Sequence, residues 1–422
     1  MGRNARDPWF AWYVTTEAPV TAPPVAATRA RWALLALAVG GFAIGTTEFM
    51  TIGLLAEIAD SIGRTKADTG HIITAYAFGV VVGAPVIVSL GARLPRRELA
   101  MGLILALGLG NGLTAIVSSY DQMMVARFIS GLPHGAYFGV ASLLAASLVP
   151  AHQRGRAISS VMLGLSVATV AGVPASTFLG QRLGWESAYW LVLAISVAAV
   201  ALIAVFVPHT PGDRTASVKR ELTALKRSQV WFAMSAGIVG FGGLFAMYTY
   251  ISPIVTDVID LGRGAIPVFL LIFGFGSVFG AWLAGVLADW DVERSVISGF
   301  VAMALSLLLF FFLVEQAVAA AVLIFVVGAL GSVLAITLQV RLMAAAGEAE
   351  MLGAALNHSS LNVANGLGAA LGSVVITAGY GYSASSIVGA GLAVAGLAVF
   401  LVGLAVGRRP SGIAQTGPAP RV

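Results

Sequence analysis

The chain has 422 residues, 58% of them hydrophobic and only 10% charged, and its mean hydropathy is +0.92. So few charges cannot cover a water-soluble protein of this length, so most of the surface must face lipid. The net charge of +5 argues against a nucleic-acid partner once its distribution is considered: the basic residues form short runs between apolar stretches, with no stripe on a soluble domain. The lack of cysteine excludes disulfides, thiolate nucleophiles and cysteine-bound metals.

Residues 1–31 lack an apolar core and carry Pro19, Pro23 and Pro24, which predicts a disordered tail on the cytoplasmic side rather than a signal peptide. A bilayer-spanning helix needs about 20 apolar residues. Such runs occur at 32–55, 70–91, 99–118, 123–149, 157–180 and 186–207, making a first six-helix bundle over 32–207. A polar cytoplasmic linker follows at 208–230, with a short basic helix expected around Val218–Arg227. Six further runs, at 231–255, 265–287, 296–315, 317–341, 352–376 and 383–407, make a second bundle over 231–407, and 408–422 reads as a disordered cytoplasmic tail. With both termini inside, inner segments hold 19 Lys and Arg when Arg341, at the inner end of its span, is counted with them, outer loops hold 4 (Arg64, Lys66, Arg182 and Arg263), and Arg127 lies inside a span. That asymmetry sets the orientation and predicts a multi-pass protein of the bacterial inner membrane.

Two matches suggest internal duplication. Gly91-Ala-Arg-Leu-Pro95-Arg96-Arg97 after span two resembles Gly285-Val-Leu-Ala-Asp289, with Arg294 beyond, at an offset of 194 between Gly91 and Gly285. Val167-Ala168-x-x-x-Gly172 in span five matches Val363-Ala364-x-x-x-Gly368 in span eleven, at an offset of 196 between Gly172 and Gly368. Paired six-span repeats place a substrate cavity between the halves near the bilayer midplane. The expected fold is all-α: twelve transmembrane helices in two six-helix pseudo-repeats.

No energy-supplying nucleotide site is visible. The three lysines, Lys66, Lys219 and Lys226, do not follow glycine, so there is no Walker A sequence. An ion gradient or simple facilitation remains. Ionisable residues within a membrane are costly and are functional candidates by default. Glu48, in Gly45-Thr46-Thr47-Glu48-Phe49-Met50, is the one carboxylate well inside a span. It and Arg127 both lie roughly 10 Å below the outer surface, at 1.5 Å per residue. Opposite charges at matched depth can pair across a cavity, and a motion or a bound substrate that changes their solvation or separation would load or release a proton. The alternative is a fixed structural pair.

Other polar residues read less sharply. His358, Asn362 and Asn365 share one face of span eleven and either line the cavity or bond neighbouring helices. His134 adjoins Pro133 and serves either role, whereas His71 at a span end reads as interfacial. Tyr76, Tyr137, Tyr248 and Tyr250 could stack on a planar substrate or simply fill helix contacts. Gly164, Ala168 and Gly172 recur at four-residue spacing and allow close helix approach, and Pro174 can kink span five. There is no His-Glu-x-x-His sequence, and no cofactor or metal is expected.

Taken together these segments resemble the major facilitator superfamily, more narrowly its twelve-span drug:proton antiporters and their arabinose-efflux-permease-like branch. The carrying residues are Thr47-Glu48-Phe49-Met50, Tyr76-Ala-Phe-Gly79-Val-Val-Val-Gly83-Ala-Pro85, Arg127-Phe-Ile-Ser-Gly131-Leu-Pro133-His134-Gly135-Ala136, Gly172-Val-Pro174 and Asn362-Val-Ala-Asn365-Gly366-Leu-Gly368-Ala. The resemblance implies alternating access by rocking of two halves, with export coupled to proton entry through Glu48 and Arg127. It also implies conformational-switch loops at Gly91, Arg96 and Arg97 and at Gly285, Asp289 and Arg294. Two departures stand out: Pro95 occupies the place of the first loop's usual aspartate, and Val173 separates Gly172 from Pro174, with Ala175-Ser176 following. The expected function is a monomeric secondary transporter that exchanges protons for a small organic molecule such as a drug, a sugar or a related metabolite. Uptake by proton symport and, more distantly, an intramembrane enzyme are the alternatives.

Overall fold

A computed structural model describes residues 27–64, 66–210 and 218–407; of the tails expected over 1–31 and 408–422, residues 1–26 and 408–422 lie outside the described residues, whereas 27–31 form the first turns of a helix instead of a tail. Among these residues there are twelve long helices and no strand. They are α1 (Ala27–Gly53), α2 (Lys66–Gly91), α3 (Arg96–Ile116), α4 (Tyr120–Ser147), α5 (Ala151–Leu183) and α6 (Glu186–Phe206). The second six are α7 (Ser228–Tyr248), α8 (Ile266–Trp290), α9 (Val292–Leu313), α10 (Ala317–Ala346), α11 (Glu350–Val375) and α12 (Ala384–Gly407). Eleven helical stretches among the described residues, with α10 and α11 falling in one continuous stretch, are long and apolar enough to cross a bilayer, where a helix satisfies its own backbone polar groups. Trp282, Phe279, Leu309 and Phe312 point outward, as expected of surface solvated by acyl chains. The linker is less regular than expected: a short helix at Val218–Leu222 gives way to a 3₁₀ turn at Thr223–Lys226.

Helix ends and breaks have local causes. Ser119 caps α4 by accepting from the Gln122 amide at 3.4 Å. Within α5, a π-helical segment at Ala168–Gly172 precedes Pro174, which has no N–H to continue the ladder. The Ser176 hydroxyl donates to the Gly172 carbonyl, satisfying an acceptor close to the break.

Glycines expose the internal repeat. A Cβ at Gly79, Gly83 or Gly131 would lie 2.3 Å from the Phe128 carbonyl, 2.0 Å from Leu132 and 2.2 Å from Tyr76, so α2 and α4 touch backbone to backbone. At Gly276, Gly280 and Gly328 the same contacts recur between α8 and α10, against Phe325 at 2.1 Å, Ala329 at 2.1 Å and Phe273 at 2.4 Å. Every member of this set, partners included, lies 197 residues from its counterpart, the separation that also divides Ser142 from Gln339. Those two side chains hydrogen-bond directly, Gln339 Nε2 donating to Ser142 Oγ at 2.6 Å. Equivalent residues that touch must sit on the axis relating the halves. This register corrects the offset of 194 suggested by Gly91 and Gly285: the counterparts of Gly285 and Asp289 are Val88 and Ala92. The reason is steric, because Gly285 faces Ser159 and Arg156 of α5, whereas the atoms nearest Gly91 belong to Leu99 of its own half.

Each half has an apolar core. That of the first extends into the second through Ala281, Ala284, Ile336, Leu342, Met351 and Leu352. The extension lies toward the end of the bundle that carries the α2–α3, α4–α5 and α10–α11 connections, called here the basic end.

Candidate functional site

Arg127 is completely buried in the first half. Its Nη1 donates to Thr47 Oγ1 at 3.1 Å and its Nη2 to the Thr47 carbonyl at 3.4 Å. The Thr47 hydroxyl in turn donates to Asn111 Oδ1 at 2.5 Å, and Asn111 Nδ2 to the Leu107 carbonyl at 2.8 Å. The guanidinium lies 4.4 Å from the centre of the Tyr76 ring and 5.6 Å from that of Tyr189. A desolvated cation–π contact of this kind is worth about 2 kcal/mol. Its Nε–H has no hydrogen-bond partner among the described residues. Five groups from α1, α2, α3 and α6 thus orient one cation.

Glu48 stands one residue beyond Thr47, half-buried, in electrostatic range of both Arg127 and Tyr76. This puts it on the inner side of the first bundle rather than against the acyl chains. No ion pair within 4.0 Å joins it to Arg127 among the described residues; the cation is held by Thr47 instead. Arg127→Lys keeps the charge but not the planar fork. We expect it to lower the unfolding free energy by about 1.5 kcal/mol, one charge-assisted hydrogen bond, read as a lower thermal midpoint of the purified protein; Arg127→Ala should fall further.

A polar thread leads from this centre to the second half. Tyr76 Oη lies 3.0 Å from His134 Nδ1, and His134 Nε2 lies 3.3 Å from His358 Nδ1 on α11. The His358 ring stacks on Phe138 at 4.1 Å. From this pair toward the basic end, α4 and α11 are in contact: Cβ atoms at Gly135 and Gly139 would lie 3.1 Å and 2.5 Å from the Ala355 and Met351 carbonyls.

The other sequence candidates are dispersed. Tyr137 is fully buried and donates to the Leu37 carbonyl at 2.7 Å, joining α4 to α1. Tyr248 packs on Phe273 at 4.2 Å, and Tyr250 donates to the Ala369 carbonyl at 2.7 Å. Asn362 Nδ2 donates to the His358 carbonyl at 3.0 Å, and Asn365 is half-buried beyond it. His71 meets Tyr120 Oη at 3.1 Å in an open apolar groove of 560 Å³ between α2 and α4, away from Glu48. Gly164, Ala168 and Gly172 form a seam with α1: Cβ atoms at Gly164 and Gly172 would lie 2.0 Å from the Ala38 carbonyl and 2.1 Å from Thr46 Oγ1. The Ala168 methyl packs against Gly45 in the same seam. Asn111 and Tyr189 do not emerge from the sequence, and Thr47 enters only within the Thr47-Glu48-Phe49-Met50 segment without a role of its own; the one available signal is the polar Asn111 between Gly110 and Gly112 in an apolar run.

At the basic end, Asp289 of α8 accepts from the Gly155 amide at 2.6 Å and the Arg156 amide at 3.4 Å, with Arg156 Nε at 3.5 Å. A carboxylate at a helix N-terminus is favoured by the helix dipole, and this one bridges the halves. In the first half, Arg97 donates to the Ala204 carbonyl. Arg96 lies in electrostatic range of Glu350 on α11, while Arg294 pairs with neighbouring Asp291 at 3.2 Å. Asp289→Asn should weaken the bridge by about 1.5 kcal/mol, a roughly tenfold shift toward separation of the halves at this end. The chain has no native cysteine, so spin labels on Ala151→Cys and Ala344→Cys would report that distance; an unchanged distribution would show that Asp289 holds nothing.

Comparison with known proteins agrees with this architecture. The family model described as Major Facilitator Superfamily matches residues 37–357. The chain is 37% identical over 383 residues to the "Inner membrane transport protein YdhP" of Escherichia coli K12, covering 90% of this chain and 98% of that protein. It is 33% identical over 365 residues to a "Chloramphenicol resistance protein" of Streptomyces lividans, covering 84% and 90%. The fold matches the structure of the proton:xylose symporter XylE with a TM-score of 0.71 at 14% identity, covering 90% of this chain and 96% of that one. The chain therefore belongs to the major facilitator superfamily and is a multi-pass membrane transporter rather than an enzyme.

Proposed function

We propose that the protein exports a small organic molecule from the cytoplasm in exchange for protons. The observation that carries this reading is Glu48: a carboxyl at lipid depth, turned into the bundle, beside a buried cation it does not engage within 4.0 Å. A carboxylate with a permanent partner would be a strut. One poised next to Arg127 can exchange a proton when solvation or separation changes. The resistance named for the Streptomyces lividans relative is consistent with efflux of a drug-like compound.

In this reading the basic end is cytoplasmic, as are both termini, in the bacterial inner membrane, and the described state is closed on that side by Asp289, Ser142–Gln339 and the α4–α11 contact. Bundles 32–207 and 231–407, joined by linker 208–230, rock about the axis on which Ser142 and Gln339 meet, and one chain is the working unit. Protons reach Glu48 from the opposite side; substrate binds when the basic end opens.

A growth screen of an efflux-deficient host, with chloramphenicol among antibiotics, sugars and nucleosides, identifies an exported compound. Everted vesicles acidified by respiration then test the coupling. The expected result is loss of luminal protons on adding that compound. A confirmed substrate that moves without protons, or carries them inward, overturns antiport.

A further inference from the structure

We infer that Tyr76, His134 and His358 are the hand-over path by which the proton leaves Glu48 toward the basic end, and that the path is continuous only while the basic end is closed. The inference rests on the proton-coupled reading of Glu48 and adds the exit route. The thread spans three helices and both halves, with steps of 3.0 Å and 3.3 Å between polar atoms. Its last atom, His358 Nε2, is buried and has no hydrogen-bond partner among the described residues. With each ring's hydrogen on Nε2, all donors point the same way. Tyr76 Oη donates to His134 Nδ1, His134 Nε2 donates to His358 Nδ1, and His358 Nε2–H is the free end.

Tyr76 is the titratable group that faces the pair, and Glu48 and Arg127 stand behind it, within electrostatic range. Elsewhere around the pair Phe138, Ala84 and Ala355 supply uncharged walls, and Asn362 engages the His358 carbonyl.

The transfer balances. Tyr76 Oη takes the proton of the Glu48 carboxyl through crevice water and gives its own hydrogen to His134 Nδ1. His134 passes its Nε2 hydrogen to His358 Nδ1, and His358 releases its Nε2 hydrogen to water once the basic end opens. Glu48 is left as carboxylate; His358 holds the proton as imidazolium until that release, after which both rings are neutral with hydrogen on Nδ1, and exchange with water in the opened crevice resets them. Because His134 belongs to one half and His358 to the other, opening breaks the path. The proton cannot then run through uncoupled.

Spin labels on Ala151→Cys and Ala344→Cys, on the full chain in nanodiscs, test this without a substrate. Lowering the pH from about 8 to 5, across the range where imidazole titrates, should lengthen the distance as protonated rings favour the opened crevice. His134→Gln and His358→Gln should each cut that response by more than half, whereas Glu48→Gln should keep part of it, since the pair still meets water in the open state. A response abolished by Glu48→Gln and intact in both histidine variants overturns the path but leaves Glu48 as carrier. No response in the unaltered chain overturns it too. If the variants do not fold, ¹⁵N-histidine spectra of the unaltered chain decide, since it has five histidines. Two rings must change tautomer together over the same pH range, and two buried rings that never change refute the path.

Discussion

Glu48→Gln is expected to abolish gradient-driven export while leaving substrate binding within about twofold, since only the proton-carrying capacity is removed. The amide has nearly the same volume, and its neighbour Arg127 is already anchored by Thr47 and Asn111, so the centre has no reason to collapse. One charge moving down 100 mV is worth about 2.3 kcal/mol, which sustains a substrate gradient of about fifty-fold. In everted vesicles the accumulation ratio should therefore fall from that order to unity, with exchange at equal concentrations preserved. A variant that still accumulates substrate uphill removes Glu48 from the coupling mechanism, whatever the fold.

The second large effect is structural. Gly83→Val puts a branched side chain where even a Cβ would lie 2.0 Å from the Leu132 carbonyl. The obstacle is backbone on an interior helix, so nothing flexible can give way. Gly280→Val meets the same obstacle at Ala329, 2.1 Å away, in the second half. We expect each to cost more than about 4 kcal/mol, the range reached by severe overpacking, seen as loss of the monodisperse peak on size-exclusion chromatography. Gly102→Val is the control, with nothing among the described residues within 4 Å of its Cβ; it should leave the peak and the thermal midpoint unchanged. Equal behaviour of the three variants would refute the backbone contact between α2 and α4.

Glu48 and Arg127 are legible in the sequence because charge in a bilayer is costly enough to stand out. Their relationship is not. Matched depth suggests that they pair, whereas the fold gives the Arg127 fork to Thr47, because a backbone carbonyl and a hydroxyl on one residue satisfy both of its terminal nitrogens. Helical spacing likewise leaves His134 and His358 open between cavity and packing. They meet each other, a contact across 224 residues that the pattern within either span cannot reveal. The loop motif misleads for a related reason. Matching Gly91 to Gly285 compares letters, while the α2–α4 and α8–α10 glycines compare contacts, and only the latter share one register of 197.

Alone, the sequence determined twelve spans, two halves and a short set of costly side chains. Lipid solvation forces helical, apolar segments of a set length, and it makes each exception visible. Tertiary structure decided which exceptions meet: Thr47 with Arg127 across 80 residues, and His134 with His358 between the halves. Those pairings depend on which helix faces pack together, and that is settled by backbone contacts at glycines rather than by the hydrophobicity of any one segment.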